Sequence, residues 1–372
     1  MTTILFTGGG TSGHLMPIVA VAREIKKQYP QDTLQLHYLG PRDPSFAAIF
    51  AQEGVAVHSM VSGKIRRYFS LQNIVDMFIK IPVGFLQSFF LLLVMYPKLV
   101  VSKGGSGSAV VCFCARMLFI PVFVHESDSV PGLSNQIVSK WAKKIFTSFP
   151  NTPFAASSNV TLIGNPIRTS MLTGTPEVAK EVLHLTFEKP ILLFLGGSQG
   201  AEVINEFVAD MLDQALVNYE IIHSCGKNNY KKAFAESRGI LTKELEPYYH
   251  LYDSLDESQL TQAYAVASMV ISRAGSGSIF EIAAVKKPSM LIPLPSAAGD
   301  HQSKNAYAYA ATGAAVVIEQ ENLTHNFVLG VITNILLDQD RVMAMQQAAG
   351  QFAKPQAAAV FAKEILSYIK LL

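Results

Sequence analysis

Near its start the chain reads Thr3-Ile4-Leu5-Phe6-Thr7-Gly8-Gly9-Gly10-Thr11-Ser12-Gly13-His14. Residues 3–7 form a short apolar run suited to a buried strand, and residues 8–13 supply the small, permissive residues of a tight turn. Residues 17–29 follow as a helix with Ile18, Val19, Val21, Ala22 and Ile25 on its apolar side. The same strand, turn and helix recur. Apolar runs at residues 34–39, 99–102, 122–124, 144–146 and 160–163 alternate with helical stretches, the pattern of a parallel sheet covered by helices on both faces. A second copy opens with residues 190–195, Gly196-Gly197-Ser198-Gln199-Gly200 and a helix from about Ala201, then continues with runs at 220–223, 269–272, 289–292 and 315–318. The expected fold is α/β, with two doubly wound Rossmann-like units in tandem.

Length points the same way, since 372 residues exceed what one hydrophobic core usually organises. Turn chemistry across residues 164–176, with Asn165-Pro166 and Thr173-Gly174-Thr175-Pro176, marks the link. The expected domains are residues 1–165 and 166–372. The amphipathic final segment, residues 357–372, can pack back on either domain, the first included.

Composition excludes several classes. Apolar residues make up 49% and charged residues only 16%, which rules out a disordered chain and leaves apolar surface to spare. A net charge of +2, with no basic tract longer than Arg66-Arg67, gives no footprint for nucleic acid. Cys112, Cys114 and Cys225 are odd in number and lack metal-ligand spacing, which fits a reducing cytoplasm. Residues 1–6 carry no basic leader region, so secretion is not expected.

Gly8, Gly10 and Gly13 satisfy G-x-G-x-x-G between a strand and a helix, which can bring backbone amides and a helix N-terminus onto a diphosphate. A dinucleotide reading also needs an acid at the end of the second strand. That position falls in His37-Tyr38-Leu39-Gly40 instead, so a nicotinamide cofactor is not expected. Three further turns repeat the theme: residues 104–108, 196–200 and 274–278. Any one could be a structural elbow. Four such turns at strand ends in two domains favour a cleft between facing domains that takes a phosphorylated ligand, for which a nucleotide-sugar is a natural guest.

These residues resemble a known family. Gly9-Gly10-Thr11-Ser12-Gly13-His14 with Pro17, Gly104-Gly105 near Ser108, His125-Glu126, Gly132-Leu133-Ser134-Asn135, Gly164-Asn165-Pro166-Ile167-Arg168, Gly196 through Ala201, Arg273-Ala274-Gly275 with Glu281, and Asp300-His301-Gln302 with Asn305-Ala306 occur in the order and approximate spacing of MurG glycosyltransferases. The resemblance implies the GT-B fold, acceptor binding mainly by the first domain, and UDP-N-acetylglucosamine binding by the second. It implies an inverting transfer to the 4-hydroxyl of a polyprenyl-diphosphate-linked muramyl pentapeptide, lipid I to lipid II, in peptidoglycan synthesis.

Carried over residue by residue, the resemblance gives Glu281 the ribose hydroxyls, where a carboxylate can accept two hydrogen bonds. Ser198, with Gln199 and Gly200, meets the α-phosphate, and Arg168 neutralises the leaving diphosphate. Gln302 bonds the transferred sugar, while Asn305 braces that loop. Thr11, Ser12, Gly13 and Ser276 complete the substrate-binding set. A surface glutamate at a helix start and a linker salt bridge are the plain alternatives for Glu281 and Arg168. With helix N-termini and Arg168 available for the diphosphate, neither a metal nor another cofactor is expected.

The transfer needs a base near the acceptor hydroxyl. His14, directly after a glycine turn, is the first candidate, because an imidazole titrates near neutrality. His125-Glu126 is either functional or a structural network. After it the chain departs from the familiar His-Glu-Gln-Asn-Gly and reads His125-Glu126-Ser127-Asp128-Ser129. Asp128 therefore becomes the second catalytic candidate, as a base or as an acceptor-orienting group. A second departure is Ser106, where many relatives carry tyrosine.

Between residues 64 and 103, Lys64, Arg66, Arg67, Lys80, Lys98 and Lys103 stand against a single acid, Asp76. Leu71, Ile74, Val75, Phe78 and Ile79 recur at helical spacing, and residues 81–96 are apolar except for Gln87 and Ser88. Sixteen such residues with Pro82 and Gly84 near their start fall short of the about 20 needed to span a bilayer. A peripheral patch on the anionic cytoplasmic face of the membrane is expected instead. Another glycolipid glycosyltransferase, a UDP-sugar epimerase and a non-catalytic UDP-sugar-binding protein remain the alternatives, because fold does not fix substrate.

Overall fold

The computed structural model describes residues 2–9, 12–30, 33–63, 74–154, 159–197, 200–295 and 298–370. They form two compact units, Met1–Arg168 with Lys354–Leu372, and Thr169–Ala353.

The first unit holds seven parallel strands: β1 (Thr2–Thr7), β2 (Leu34–Pro41), β3 (Val55–Met60), β4 (Leu99–Ser102), β5 (Val122–Glu126), β6 (Lys144–Thr147) and β7 (Val160–Leu162). Their order is β3-β2-β1-β4-β5-β6-β7, so the winding reverses between β1 and β4. The helices are α1 (Ser12–Gln28), α2 (Pro44–Gln52), α3 (Ile81–Met95), α4 (Ser108–Met117) and α5 (Leu133–Ser139). Successive strand residues alternate faces. Ile4 and Phe6 pack with Ile18, Val19 and Ile25 of α1, whereas Leu5 packs with Leu92 of α3 and Val111 of α4.

The second unit repeats the plan with β8 (Ile191–Leu195), β9 (Glu220–Ser224), β10 (Tyr249–Tyr252), β11 (Met269–Ser272), β12 (Ser289–Leu291) and β13 (Ala315–Val317). All are parallel, in the order β10-β9-β8-β11-β12-β13, with the reversal between β8 and β11. Its helices are α6 (Pro176–Leu183), α7 (Glu202–Asn218), α8 (Tyr230–Ile240), α9 (Glu257–Val266), α10 (Ser276–Ala284), α11 (His301–Ala310), α12 (His325–Leu337) and α13 (Gln339–Phe352).

The chain then returns to the first unit as α14 (Ala357–Tyr368). Phe361 meets Phe146 at 4.7 Å between ring centroids, Tyr368 meets Phe123 at 4.9 Å, and Lys144 Nζ lies 2.7 Å from Glu364. Phe361, Ala362, Ile365 and Leu366 are buried there. Each large apolar side chain among them contributes about 1.5–3 kcal/mol by leaving water. The units divide three residues later than turn chemistry suggested, and of the two packings open to the final helix it takes the one on the first unit.

Two helices differ from the sequence expectation. α1 starts at Ser12, not at Pro17, so the glycine turn runs straight into the helix and Pro17 sits inside it. The helical run over Asp76–Met95 is 20 residues long, beginning as a π-helical turn over Asp76–Lys80 and continuing through Pro82 in the first turn of α3. By length and composition it could cross a membrane. One face is nonetheless packed in the domain: Gly84, Ser88 and Leu92 are buried, and Ser88 Oγ donates to Gly84 O and lies 3.4 Å from Met60 Sδ. A Cβ on Gly84 would strike the Val61 carbonyl. The outer face exposes Phe78 (71%), Phe90 (60%) and Val94 (86%), and Phe113, Met117 and Phe119 are exposed on and just after the adjoining α4.

Candidate functional site

The four glycine turns follow β1, β4, β8 and β11, the strands that flank the reversal of winding in each sheet. Ligands of open α/β sheets bind outside the carboxyl ends of strands at such points, because loops leave in opposite directions there and open a crevice.

In the first unit the turns after β1 and β4 lean on each other. Gly105 has φ +86°, and a Cβ there would strike the Gly9 carbonyl. The Tyr38 hydroxyl donates to Gly8 O and fixes the first turn from the β2 side. Ser12 opens α1, Gly13 is exposed, and His14 is partly buried in the first helical turn. Gly10 and Thr11 lie outside the described residues.

Below this rim lies a buried polar cluster. Lys103, directly after β4, is 2% exposed, and its Nζ donates to His125 Nδ1 at 2.5 Å, Ser127 Oγ at 2.6 Å and Asn165 Oδ1 at 3.3 Å. His125 Nε2 lies 2.9 Å from Gly164 O, and a carbonyl only accepts, so Nε2 carries the proton and Nδ1 is the acceptor. Lys103 was counted above among the membrane-facing cations, and the structure corrects this: it points inward. Its burial pushes the ammonium down to about 7, against the pull of Glu126 and Asp128. Burial first, and then the Lys103 charge, hold His125 well below the ordinary imidazole value.

Glu126 ends β5. Its carboxylate accepts from Asp128 N at 3.0 Å, Gly132 N at 3.0 Å and Asn135 Nδ2 at 2.8 Å. Burial and the Asp128 charge push it up to about 7 despite those three donors. These bonds shape the loop that carries Asp128, which is half-buried two residues beyond β5. His14, Lys103 and Asp128 thus follow the adjacent strands β1, β4 and β5. Arg168 closes the unit, 8% exposed, shortly after β7.

The second unit presents fewer charges. Gly197 and Gly200 have φ of +82° and +77°, and Gly200 is wedged against the Cys225 carbonyl. Asn205 and Asn229 side chains donate to that same carbonyl at 2.9 and 3.1 Å. Ser198 and Gln199 lie outside the described residues. After β11, Gly275 caps α10 and Ser276 is its first residue. Asn305, fully buried, sits 3.5 Å from Ala274 O and braces this turn. Arg273 spans the neighbouring loop, donating to Ile292 O, Pro293 O and Gln320 Oε1. Gln302 Oε1 accepts from Leu294 N at 3.0 Å, which fixes the orientation of its amide. Glu281 accepts from the Tyr264 hydroxyl at 3.2 Å through one oxygen. Gly200, Ser276 and Gln302 follow the adjacent strands β8, β11 and β12, with Glu281 further along α10.

Among the described residues no group of three or more His, Cys, Asp or Glu side chains is arranged to hold a metal ion. Lys103, Ser127 and Asn165 are the cluster members that sequence reasoning did not place at the site.

Comparison with known proteins agrees with this architecture. Residues 4–147 match the glycosyltransferase family 28 N-terminal domain and residues 191–363 its C-terminal domain. A UDP-N-acetylglucosamine–N-acetylmuramyl-(pentapeptide) pyrophosphoryl-undecaprenol N-acetylglucosamine transferase of Clostridium kluyveri is 36% identical over 332 residues, covering 88% of this chain and 90% of that one. The enzyme of the same name from Treponema denticola is 32% identical, covering 99% and 98%. The crystal structure of Acinetobacter baumannii MurG superposes with a TM-score of 0.74 at 24% identity, over 99% of this chain and 100% of that one, a likeness of fold. The paired Rossmann-like units are those of the GT-B fold, and the chain belongs to the MurG family of glycosyltransferases.

Proposed function

We propose that this glycosyltransferase moves N-acetylglucosamine from UDP-N-acetylglucosamine to the 4-hydroxyl of a polyprenyl-diphosphate-linked muramyl pentapeptide, converting lipid I to lipid II. The observation that carries this reading is near full-length similarity to enzymes named for that transfer. Glycine turns at both winding reversals support it, since they suit a nucleotide diphosphate.

The acceptor oxygen attacks the anomeric carbon, the bond from that carbon to the β-phosphate oxygen breaks, and UDP leaves with inversion. Asp128 takes the hydroxyl proton, with His14 beside the first glycine turn as acceptor-side partner or alternative base. Thr11, Ser12 and Gly13 are assigned to substrate binding. On the donor side Glu281 accepts from the ribose hydroxyls. Ser198, Gln199, Gly200 and Ser276 offer amides and hydroxyls to the diphosphate, Arg168 adds positive charge, and Gln302 donates to the sugar.

The enzyme works at the cytoplasmic face of the membrane. Helix 76–95 keeps one face in its own domain, which favours lying along the bilayer rather than crossing it. Phe78, Phe90, Val94 and Phe119 then enter the lipid, with Lys98 at the headgroups. The test is transfer of labelled N-acetylglucosamine from its UDP donor to the polyprenyl-linked acceptor, with the product's linkage determined. The reading expects one sugar added with inversion; UDP-sugar binding without transfer contradicts it.

A further inference from the structure

The glycine turn after β8 rests on the end of β9. Gly196 N donates to Ser224 O at 3.4 Å, and Gly200, with φ +77°, is backed so closely by the Cys225 carbonyl that no Cβ fits. That carbonyl also accepts from Asn205 Nδ2 at 2.9 Å and from Asn229 Nδ2 at 3.1 Å. Asn205 stands in the first turn of α7, so its amide ties the backing of the glycine turn to the helix that follows it. Asn205 is itself held from behind. With its nitrogen on Cys225 O, its Oδ1 faces His223 Nε2 at 3.0 Å, and an amide oxygen only accepts, so Nε2 carries the proton. His223 Nδ1 is then the acceptor, and the Tyr249 hydroxyl, 2.8 Å away, donates to it. The His223 ring is 1% exposed and lies edge-on to the buried Phe194, and burial pushes its pKa down to about 3, so the imidazole stays neutral. Every bond points one way: from Tyr249 on β10, through His223 on β9 and Asn205 on α7, to the Cys225 carbonyl against Gly200.

We propose that His223 is a positioning residue for the nucleotide diphosphate: through Asn205 it sets the place of the Cys225 carbonyl, and so the shape in which the glycine turn meets the donor. His223 acts through Asn205 and does not touch the nucleotide. The inference rests on the turn at residues 196–200 being the diphosphate site of the proposed function. Tyr249 fixes the tautomer. Without its O–H the proton can move to Nδ1, and Nε2 then faces Asn205 Oδ1 as one acceptor against another.

The experiment measures UDP affinity by titration calorimetry on the full chain, for wild type, His223→Leu, His223→Gln, Asn205→Leu and the double variant of the two leucines. His223→Leu is expected to weaken UDP binding about tenfold, whereas His223→Gln, whose amide nitrogen can take the place of Nε2, stays within about threefold of wild type. In the Asn205→Leu background the loss of His223 is expected to have little further effect. In the transfer assay the His223→Leu loss should fall on KM for the UDP-sugar, with kcat within about threefold of wild type. Wild-type UDP affinity in His223→Leu, whatever its stability to urea, marks the network as merely structural and overturns the proposal. An equal loss in both backgrounds overturns the route through Asn205. If His223→Leu does not fold, Tyr249→Phe decides, because it removes one hydroxyl and frees the tautomer: UDP binding should weaken about threefold, and unchanged affinity rejects the proposal. A wild type that binds no UDP overturns the donor-site reading instead.

Discussion

The two carboxyl-end rims are built on the same strand order yet differ in how they use charge. The first is underlain by Lys103, His125 and Glu126, all nearly inaccessible and bonded to one another or to backbone. The second relies on helix starts and hydroxyls, and its buried Arg273 is spent on carbonyls of the neighbouring loop. One scaffold thus carries two differently charged rims. Buried ionisable groups suit proton removal from an acceptor, whereas open backbone amides suit a diphosphate that arrives with its own charge.

The largest effect that sharpens this contrast is expected for Asp128→Asn. Loss of a general base should lower kcat by about 10²- to 10⁴-fold without weakening donor binding. Steady-state kinetics with both substrates varied will show whether the loss falls on kcat alone. Glu281→Ala should act in the opposite compartment, weakening UDP-sugar affinity by roughly 10- to 100-fold through lost hydrogen bonds to a charged group. Titration calorimetry with UDP measures this directly.

Glycine chemistry offers a third comparison. Gly105 needs its positive φ and its missing side chain, so Gly105→Ala should destabilise the protein by about 2 kcal/mol or more. At Gly275 a Cβ would meet nothing within 4 Å, and the backbone there, at φ −67°, suits any residue. Gly275→Ala should therefore leave stability within about 0.5 kcal/mol of wild type. On the proposed donor site it should still weaken UDP binding. Urea unfolding beside UDP titration separates the two glycines.

The last effect is a pH dependence of stability that the buried cluster of the first unit contributes. Glu126 rises from 4.5 to about 7 on folding, so its contribution is full below about 4.5 and is lost as pH climbs to 7. Lys103 falls from 10.5 to about 7, so the native state sheds that proton first and stability returns as pH rises from 7 toward 10.5. Unfolding at pH 7 and at about pH 9 should show a gain in wild type that is smaller in Lys103→Met.

Much of this architecture was legible in the sequence because central strands are apolar on both faces. Residues 99–102 and 269–272 read as strands for that reason and are wholly buried. The outer strands β3 and β10 escaped notice: Val55-Ala56-Val57-His58-Ser59-Met60 and Tyr249-His250-Leu251-Tyr252 mix polar and apolar residues, as half-exposed edges do. Pro17 drew the helix start five residues late, since proline favours a first turn but is tolerated where the lost N–H bond is offset by packing. The glycine turns were visible from composition and spacing alone.

Lys103 was misread because charge spacing says nothing about direction. Its partners His125, Ser127 and Asn165 lie 22, 24 and 62 residues away; the β4–β5 pairing sets the first two beside it, and Asn165 comes from the segment after β7 in the same sheet. Parallel pairing is a long-range property that local pattern does not encode.

The division of labour between the rims is tested most directly by measuring UDP-N-acetylglucosamine affinity and transfer rate side by side for Asp128→Asn and Glu281→Ala. The account predicts that Asp128→Asn binds donor as wild type does and fails to transfer, while Glu281→Ala loses donor affinity. Equal loss of donor affinity in both variants, or undiminished transfer by Asp128→Asn, would contradict it.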